Sequence, residues 1–200
     1  MCKTIGFLML TLSGWAGLAM ATQIGPDDFG GNEFVETYSD LGYPHGTQLP
    51  SVFTLNSITY TNFSANLRYE NFHDCYDGWC LVPESTGTST WLLAFESPIN
   101  RIGVYASTNN DISADAFLSI FDVEGNRLGY DAYGEEVLGS PFVTRFYGVE
   151  SLDIPIATAT LGLTSRVRIT FDNLTTEIVS SQEVPTPATI LLISIDPAHQ

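Results

Sequence analysis

The chain has 200 residues, 23 of them acidic and seven basic, for a formal net charge of −16, and its only lysine is Lys3. A surface this negative repels phosphate backbones and anionic headgroups, which excludes nucleic acid as a partner. The length supports one domain with a proper core, and no linker or internal repeat divides it.

Residues 1–21 have the layout of a secretory signal peptide. Lys3 is followed by the apolar run Ile5 to Leu12, and Ala19 and Ala21 place small side chains at the spacing a signal peptidase accepts. The run is too short and too rich in small residues to remain across a bilayer core of roughly 30 Å, so the expected mature chain starts near Thr22, outside the cytoplasm, with no stable membrane span. Cys2 would leave with the leader. Cys75 and Cys80 remain, and in an oxidising compartment they are expected to form a disulfide. So small a ring removes only ~2 kcal/mol of unfolded-state entropy, which suits the stiffening of one loop better than the holding of a fold. The alternative is a zinc site that adds His73 and Asp77 to the two sulfurs, but it lacks a second ligand pair at recognisable spacing.

The mature chain is expected to be β throughout. Short runs rich in β-branched and aromatic residues occur at Phe34 to Tyr38, Val52 to Tyr60, Thr90 to Phe95, Arg101 to Ala106, Ala116 to Phe121, Phe142 to Tyr147 and Thr176 to Ser180. Arg166 to Phe171 alternates strictly, so Val167, Ile169 and Phe171 should face a core while Arg166, Arg168 and Thr170 face water. A hairpin is expected from Phe117–Phe121 through the turn Asp122–Asn126 to Arg127–Tyr130, with Asp122 bonding the turn backbone and Gly125 at positive φ. Many short strands without a helical stripe predict an all-β, antiparallel two-sheet β-sandwich, of the jelly-roll type at this length.

Two kinds of site are readable. The segment His73 to Cys80 would be locked by its disulfide into a tight loop presenting Tyr76, Asp77 and Trp79. Sugars stack an apolar face on aromatic rings and donate hydroxyls to carboxylates, so such a loop suits a polysaccharide ligand. The competing reading has Trp79 capping the end of the sandwich with Tyr76 packed beneath it. Tyr130 and Tyr133, in the acidic aromatic stretch Tyr130 to Glu136, could line the same rim or another, or belong to a solvated loop. For a structural calcium ion, Glu33 and Glu36 near the first strand and Asp172 with Asn173 near the last are the candidate ligands; no continuous calcium loop is present, and Asp172 could equally start the turn after its strand.

Catalytic signatures are weak. The mature chain has only His45, His73 and His199, no serine sits in a nucleophile elbow, and paired cysteines provide no thiolate. A glycosidase needs two carboxylates at the right separation, and Glu84, Asp122, Glu124, Glu135 and Glu136 are available, but availability alone assigns no reaction. The expectation is a protein without catalytic activity.

The order Pro98 to Tyr105, Phe121 to Leu128, Phe146 to Glu150 and Ile169 to Leu174 resembles the β-sandwich domain of bacterial exported proteins that carry a PEP-CTERM sorting tag, and Glu183-Val-Pro-Thr-Pro-Ala-Thr189 resembles the opening of that tag. The resemblance implies a galactose-binding-like sandwich over 22–182 in an exopolysaccharide or biofilm-matrix setting, with 183–200 as a truncated tag. Here Ile190 to Ile195 gives way to Asp196 and Pro197, where the family's tag continues into a membrane helix and an arginine cluster. The resulting expectation is a released, matrix-associated, carbohydrate-binding protein, with a structural or adhesive protein-binding role as the alternative.

Overall fold

A computed structural model describes residues 21–62, 67–71, 75–76, 78–83, 89–108, 116–138, 143–163 and 169–178. The strands are β1 (Thr22–Gln23), β2 (Phe34–Glu36), β3 (Thr47–Gln48), β4 (Val52–Leu55), β5 (Ile58–Asn62), β6 (Leu67–Glu70), β7 (Cys80–Pro83), β8 (Ser89–Ile99), β9 (Arg101–Thr108), β10 (Ala116–Phe121), β11 (Arg127–Asp131), β12 (Glu135–Glu136), β13 (Val143–Glu150), β14 (Ile156–Leu163) and β15 (Thr170–Glu177). Two single 3-10 turns, Pro26–Asp28 and Ser39–Leu41, are the only helical segments among the described residues.

All pairing is antiparallel. One sheet, here the front sheet, runs β1-β13-β9-β15-β7-β6-β3, with β12 beside β13 and β2 beside β15; the back sheet runs β11-β10-β14-β8-β5-β4. From β8 onward the long strands β8, β9, β10, β13, β14 and β15 alternate between the sheets, which is the winding of a jelly roll. The expected two-sheet sandwich is therefore the fold. The inner faces share one core in which Trp91, Tyr38, Tyr69, Tyr147 and Phe171 are the largest fully buried side chains.

Asn100, the one residue between β8 and β9, makes the corner. Its backbone N–H donates to Glu177 O (2.9 Å) and its side chain to Ser151 O (3.0 Å), while Ser151 N donates back to Asn100 O (2.8 Å). Such a corner lets consecutive strands cross between sheets without leaving backbone groups unpaired.

The expected hairpin is present as β10–β11. Gly125 has φ 84°, Asp122 accepts the Asn126 N–H at 2.7 Å, and a bulge falls between Ile120 and Phe121. Three expectations need correction. The run Val52 to Tyr60 is two strands, because Asn56 (φ 46°) and Ser57 (φ 66°) reverse the chain between β4 and β5. The runs ending at Phe171 and starting at Thr176 belong to one strand, β15, although residues 164–168 and 179–180 lie outside the described ones. Thr170 does not face water: it is fully buried and its hydroxyl donates to Ser107 O at 3.1 Å, on the neighbouring strand β9.

Candidate functional site: an aromatic row on the front sheet

The outer face of the front sheet follows from strand alternation. Ile102, Val104 and Ala106 of β9 belong to the core, so Gly103 and Tyr105 point the other way. On β13, Tyr147 and Val149 face inward while Phe146 and Gly148 face outward. Register then places four residues in one row across four strands: Glu135 opposite Phe146, Phe146 opposite Tyr105, and Tyr105 opposite Asp172. The row reads acid, aromatic, aromatic, acid.

Packing fixes the two rings. Tyr105 meets Phe146 edge to face with centroids 4.9 Å apart, and Phe29 closes on the far side of Phe146 at 6.1 Å. Beneath them Gly103 and Gly148 are paired. A Cβ on Gly103 would stand 2.1 Å from Phe146 Cζ, and one on Gly148 would stand 2.4 Å from Ile24 O. Two glycines side by side thus make the bed in which the Phe146 ring lies.

A segment following β1 is clamped over this face. Arg101 Nε donates to Glu150 Oε2 and its Nη1 to Glu177 Oε2, both at 2.9 Å; the same Nη1 donates to Asp28 O at 2.9 Å, and Gly30 N donates to Glu177 Oε1 at 3.2 Å. Burial alone would lower the Arg101 pKa, but the hydrogen bonds and charges of Glu177 and Glu150 outweigh it and raise the value. The clamp brings Asp27 toward the row, and Glu135, already in the row, lies against Gly25 of the clamped segment.

The disulfide supplies the top layer. Cys75 and Cys80 are bonded (S–S 2.06 Å, Cα–Cα 5.5 Å) and form a small apolar cluster with Val82 of β7, whose neighbour Leu81 faces the core. The loop therefore rests on the outer face of β7, and Tyr76 stacks flat on Tyr105, with centroids 4.4 Å apart and planes 4° from parallel. Tyr76 nonetheless stays 39% exposed. Desolvation first, and then Tyr76, Asp27 and Glu135, raise the Tyr105 pKa, so this phenol stays protonated and able to donate a hydrogen bond at neutral pH.

The other residues singled out in the sequence fall elsewhere. Trp79 stacks on Tyr69 (4.3 Å, 4°) and is half-buried against the core. Asp77 and His73 lie outside the described residues. Tyr130 pairs with Ser119 on the outer face of the back sheet, near Phe117 and under the Arg127 guanidinium, so the structure does not join it to Tyr76. Tyr133 is 71% exposed in the turn between β11 and β12, a turn built around Asp131. That buried carboxylate accepts N–H groups of Tyr133 (3.0 Å), Gly134 (3.1 Å) and Gly148 (3.1 Å), together with the Gln23 amide (3.2 Å).

The calcium candidates are distributed as follows. Glu36 and Asp172 are buried on the paired strands β2 and β15. Glu36 accepts the Tyr38 N–H (2.8 Å) and the Asn56 amide (2.6 Å), Asp172 accepts the Asn173 N–H (2.7 Å) from within β15, and one Glu33 oxygen is buried without a hydrogen-bond partner. Asp172 is thus inside its strand, at the bulge, and does not begin the turn after it. Among the described residues no group of three or more His, Cys, Asp or Glu side chains is placed to hold a metal ion.

Sequence reasoning reached Tyr76 through its disulfide loop, and Glu135 through the acidic aromatic stretch Tyr130 to Glu136 and as an available carboxylate, but not Tyr105, Phe146 or Asp27. One signal was present: alternation in Arg101 to Ala106 sets Tyr105 opposite Ile102 and Val104, which turns an aromatic outward on a sandwich strand.

The architecture is that of an antiparallel β-sandwich with an aromatic row on one outer face, and among the described residues no helix is long and apolar enough to cross a membrane. No protein-family model matches the chain, and no curated protein matches it. Among solved structures it is similar to a point mutant of the family 29 carbohydrate binding module CBM29-2 complexed with mannohexaose, at 13% identity and a TM-score of 0.43, over 72% of this chain and 89% of that one. Another structure of a family 29 module gives 13% identity and a TM-score of 0.42, over 72% and 86%. A further CBM29-2 mutant, complexed with cellulohexaose, gives 13% identity and a TM-score of 0.41, over 66% and 91%.

Proposed function

We propose that this protein is an exported, non-catalytic carbohydrate-binding β-sandwich, associated with extracellular polysaccharide, that holds a sugar chain on the Tyr76–Tyr105 platform. One observation carries the reading: Tyr76 is fixed flat on Tyr105 by a disulfide-closed loop, yet keeps more than a third of its surface open to solvent. A ring held this way offers a pyranose face a stacking partner with little further ordering on binding. The Tyr105 hydroxyl and the nearby carboxylates supply donors and acceptors for sugar hydroxyls.

Export is proposed on the signal-peptide layout of residues 1–21, and the exopolysaccharide setting on the resemblance to PEP-CTERM proteins. The test is glycan-array binding by the full mature chain. The expected result is binding to at least one polysaccharide class, weakened about tenfold by Tyr76→Ala. Self-association or protein capture with no glycan bound at any concentration would replace this reading with the adhesive one, and release of reducing ends from a bound polysaccharide would replace it with an enzymatic one.

A further inference from the structure

The charge around the platform points to a class of sugar. Arg101 is enclosed by Glu150 and Glu177, and Arg68, farther across the same face on β6, pairs with Glu70 at 3.8 Å. Arg145 lies on the opposite face of β13 from Phe146, with its guanidinium donating to Tyr133 O and Gly134 O. Asp27 and Glu135, the two carboxylates that act on Tyr105, are both exposed, and neither takes part in an ion pair among the described residues. The platform is therefore aromatic in its centre and anionic at its side.

A uronate or sulfated glycan would be repelled there, and a neutral glycan would gain hydroxyl hydrogen bonds from the side carboxylates but no Coulomb attraction. A sugar bearing an ammonium group would gain twice, by Coulomb attraction to Asp27 and Glu135 and by cation–π contact with the open face of Tyr76. Resting on the carbohydrate-binding reading above, we propose that the platform selects cationic amino sugars, that is, polymers containing glucosamine units with free amines. The acidic, lysine-free composition of the mature chain is consistent with a protein that works inside a polycationic matrix.

The experiment compares titration calorimetry of the full mature chain with glucosamine hexamer, N-acetylglucosamine hexamer and a glucose hexamer. The preference for glucosamine over its acetylated form should be about tenfold or more at low salt, and should collapse near 1 M salt, where the screening length is ~3 Å. Asp27→Asn with Glu135→Gln should shrink that preference toward one, whereas Glu124→Gln with Asp153→Asn, on remote loops, should leave it in place. Equal binding of the charged and acetylated hexamers would overturn the amino-sugar proposal and leave the carbohydrate reading standing. Binding of none of the three would count against both. Equal loss in the remote pair would show a bulk charge effect and also overturn the proposal.

Discussion

Substituting Gly103 by alanine adds one methyl group at the bed of the aromatic row. Its Cβ would fall 2.1 Å from Phe146 Cζ and 2.8 and 2.9 Å from the two Cε atoms. A ring tip can often swing away from such a contact, but here it cannot. Phe146 is 1% exposed and held between Phe29 and Tyr105, and the paired Gly148 leaves no slack, since a Cβ there would also stand 2.7 Å from the ring. Displacing the ring means moving Tyr105, and with it Tyr76. Overpacking of this kind costs about 1–3 kcal/mol, which for a domain of this size lowers Tm by roughly 2–12 °C. Chemical and thermal denaturation of Gly103→Ala measure the loss, and a double-mutant cycle with Phe146→Leu measures its origin. The smaller, more flexible Leu should relieve the clash, with a coupling of about 1 kcal/mol or more. An unchanged Tm for Gly103→Ala, or strict additivity in the cycle, would refute the idea that Phe146 is wedged on the glycine pair.

Other outcomes follow from the same contacts. Asp131→Ala removes the acceptor of four N–H donors, among them the buried Gly148 N–H, and should cost about 3–5 kcal/mol in a denaturant titration. Reducing Cys75–Cys80 should cost only ~2 kcal/mol of global stability yet abolish most glycan binding, read by comparing Tm with affinity on the same reduced sample. Desolvation raises the pKa of both Tyr38 and Tyr60, so folding favours their protonated forms. Their contribution is intact below the ordinary phenol pKa of about 10 and is lost as pH climbs toward the folded values. An ultraviolet titration should therefore show Tyr38 and Tyr60 ionising only as the fold opens; ionisation of these two phenols near the ordinary value of about 10 with the fold intact would contradict this.

The fold class was written in the period-two runs, and the Asp122–Asn126 turn was legible in its residues, since Asp and Gly at those offsets have few other uses. Strand β14 escaped notice because Ala-Thr-Ala-Thr-Leu-Gly carries small residues where a strand reader expects bulk. Its Gly162 is there to admit the Phe117 ring from β10, since a Cβ would fall 2.2 Å from it. The Asn56-Ser57 reversal escaped because it is only two residues long and β-branched residues resume at once with Ile58 and Thr59. The platform was half legible. Cys75 and Cys80 announced a rigid loop carrying Tyr76, but its partner Tyr105 is set by strand register, and register across four strands is a tertiary property that local pattern does not encode.

The most direct measurement is the response of individual tyrosine rings to sugar. With ring-labelled tyrosine, assigned by single Tyr→Phe variants, titration with hexasaccharides of mannose, glucose, N-acetylglucosamine and glucosamine should shift the Tyr76 and Tyr105 resonances together for at least one ligand, while Tyr130 and Tyr133 stay still. Shifts at Tyr130 and Tyr133 with Tyr76 and Tyr105 unmoved would place the sugar elsewhere and contradict the account.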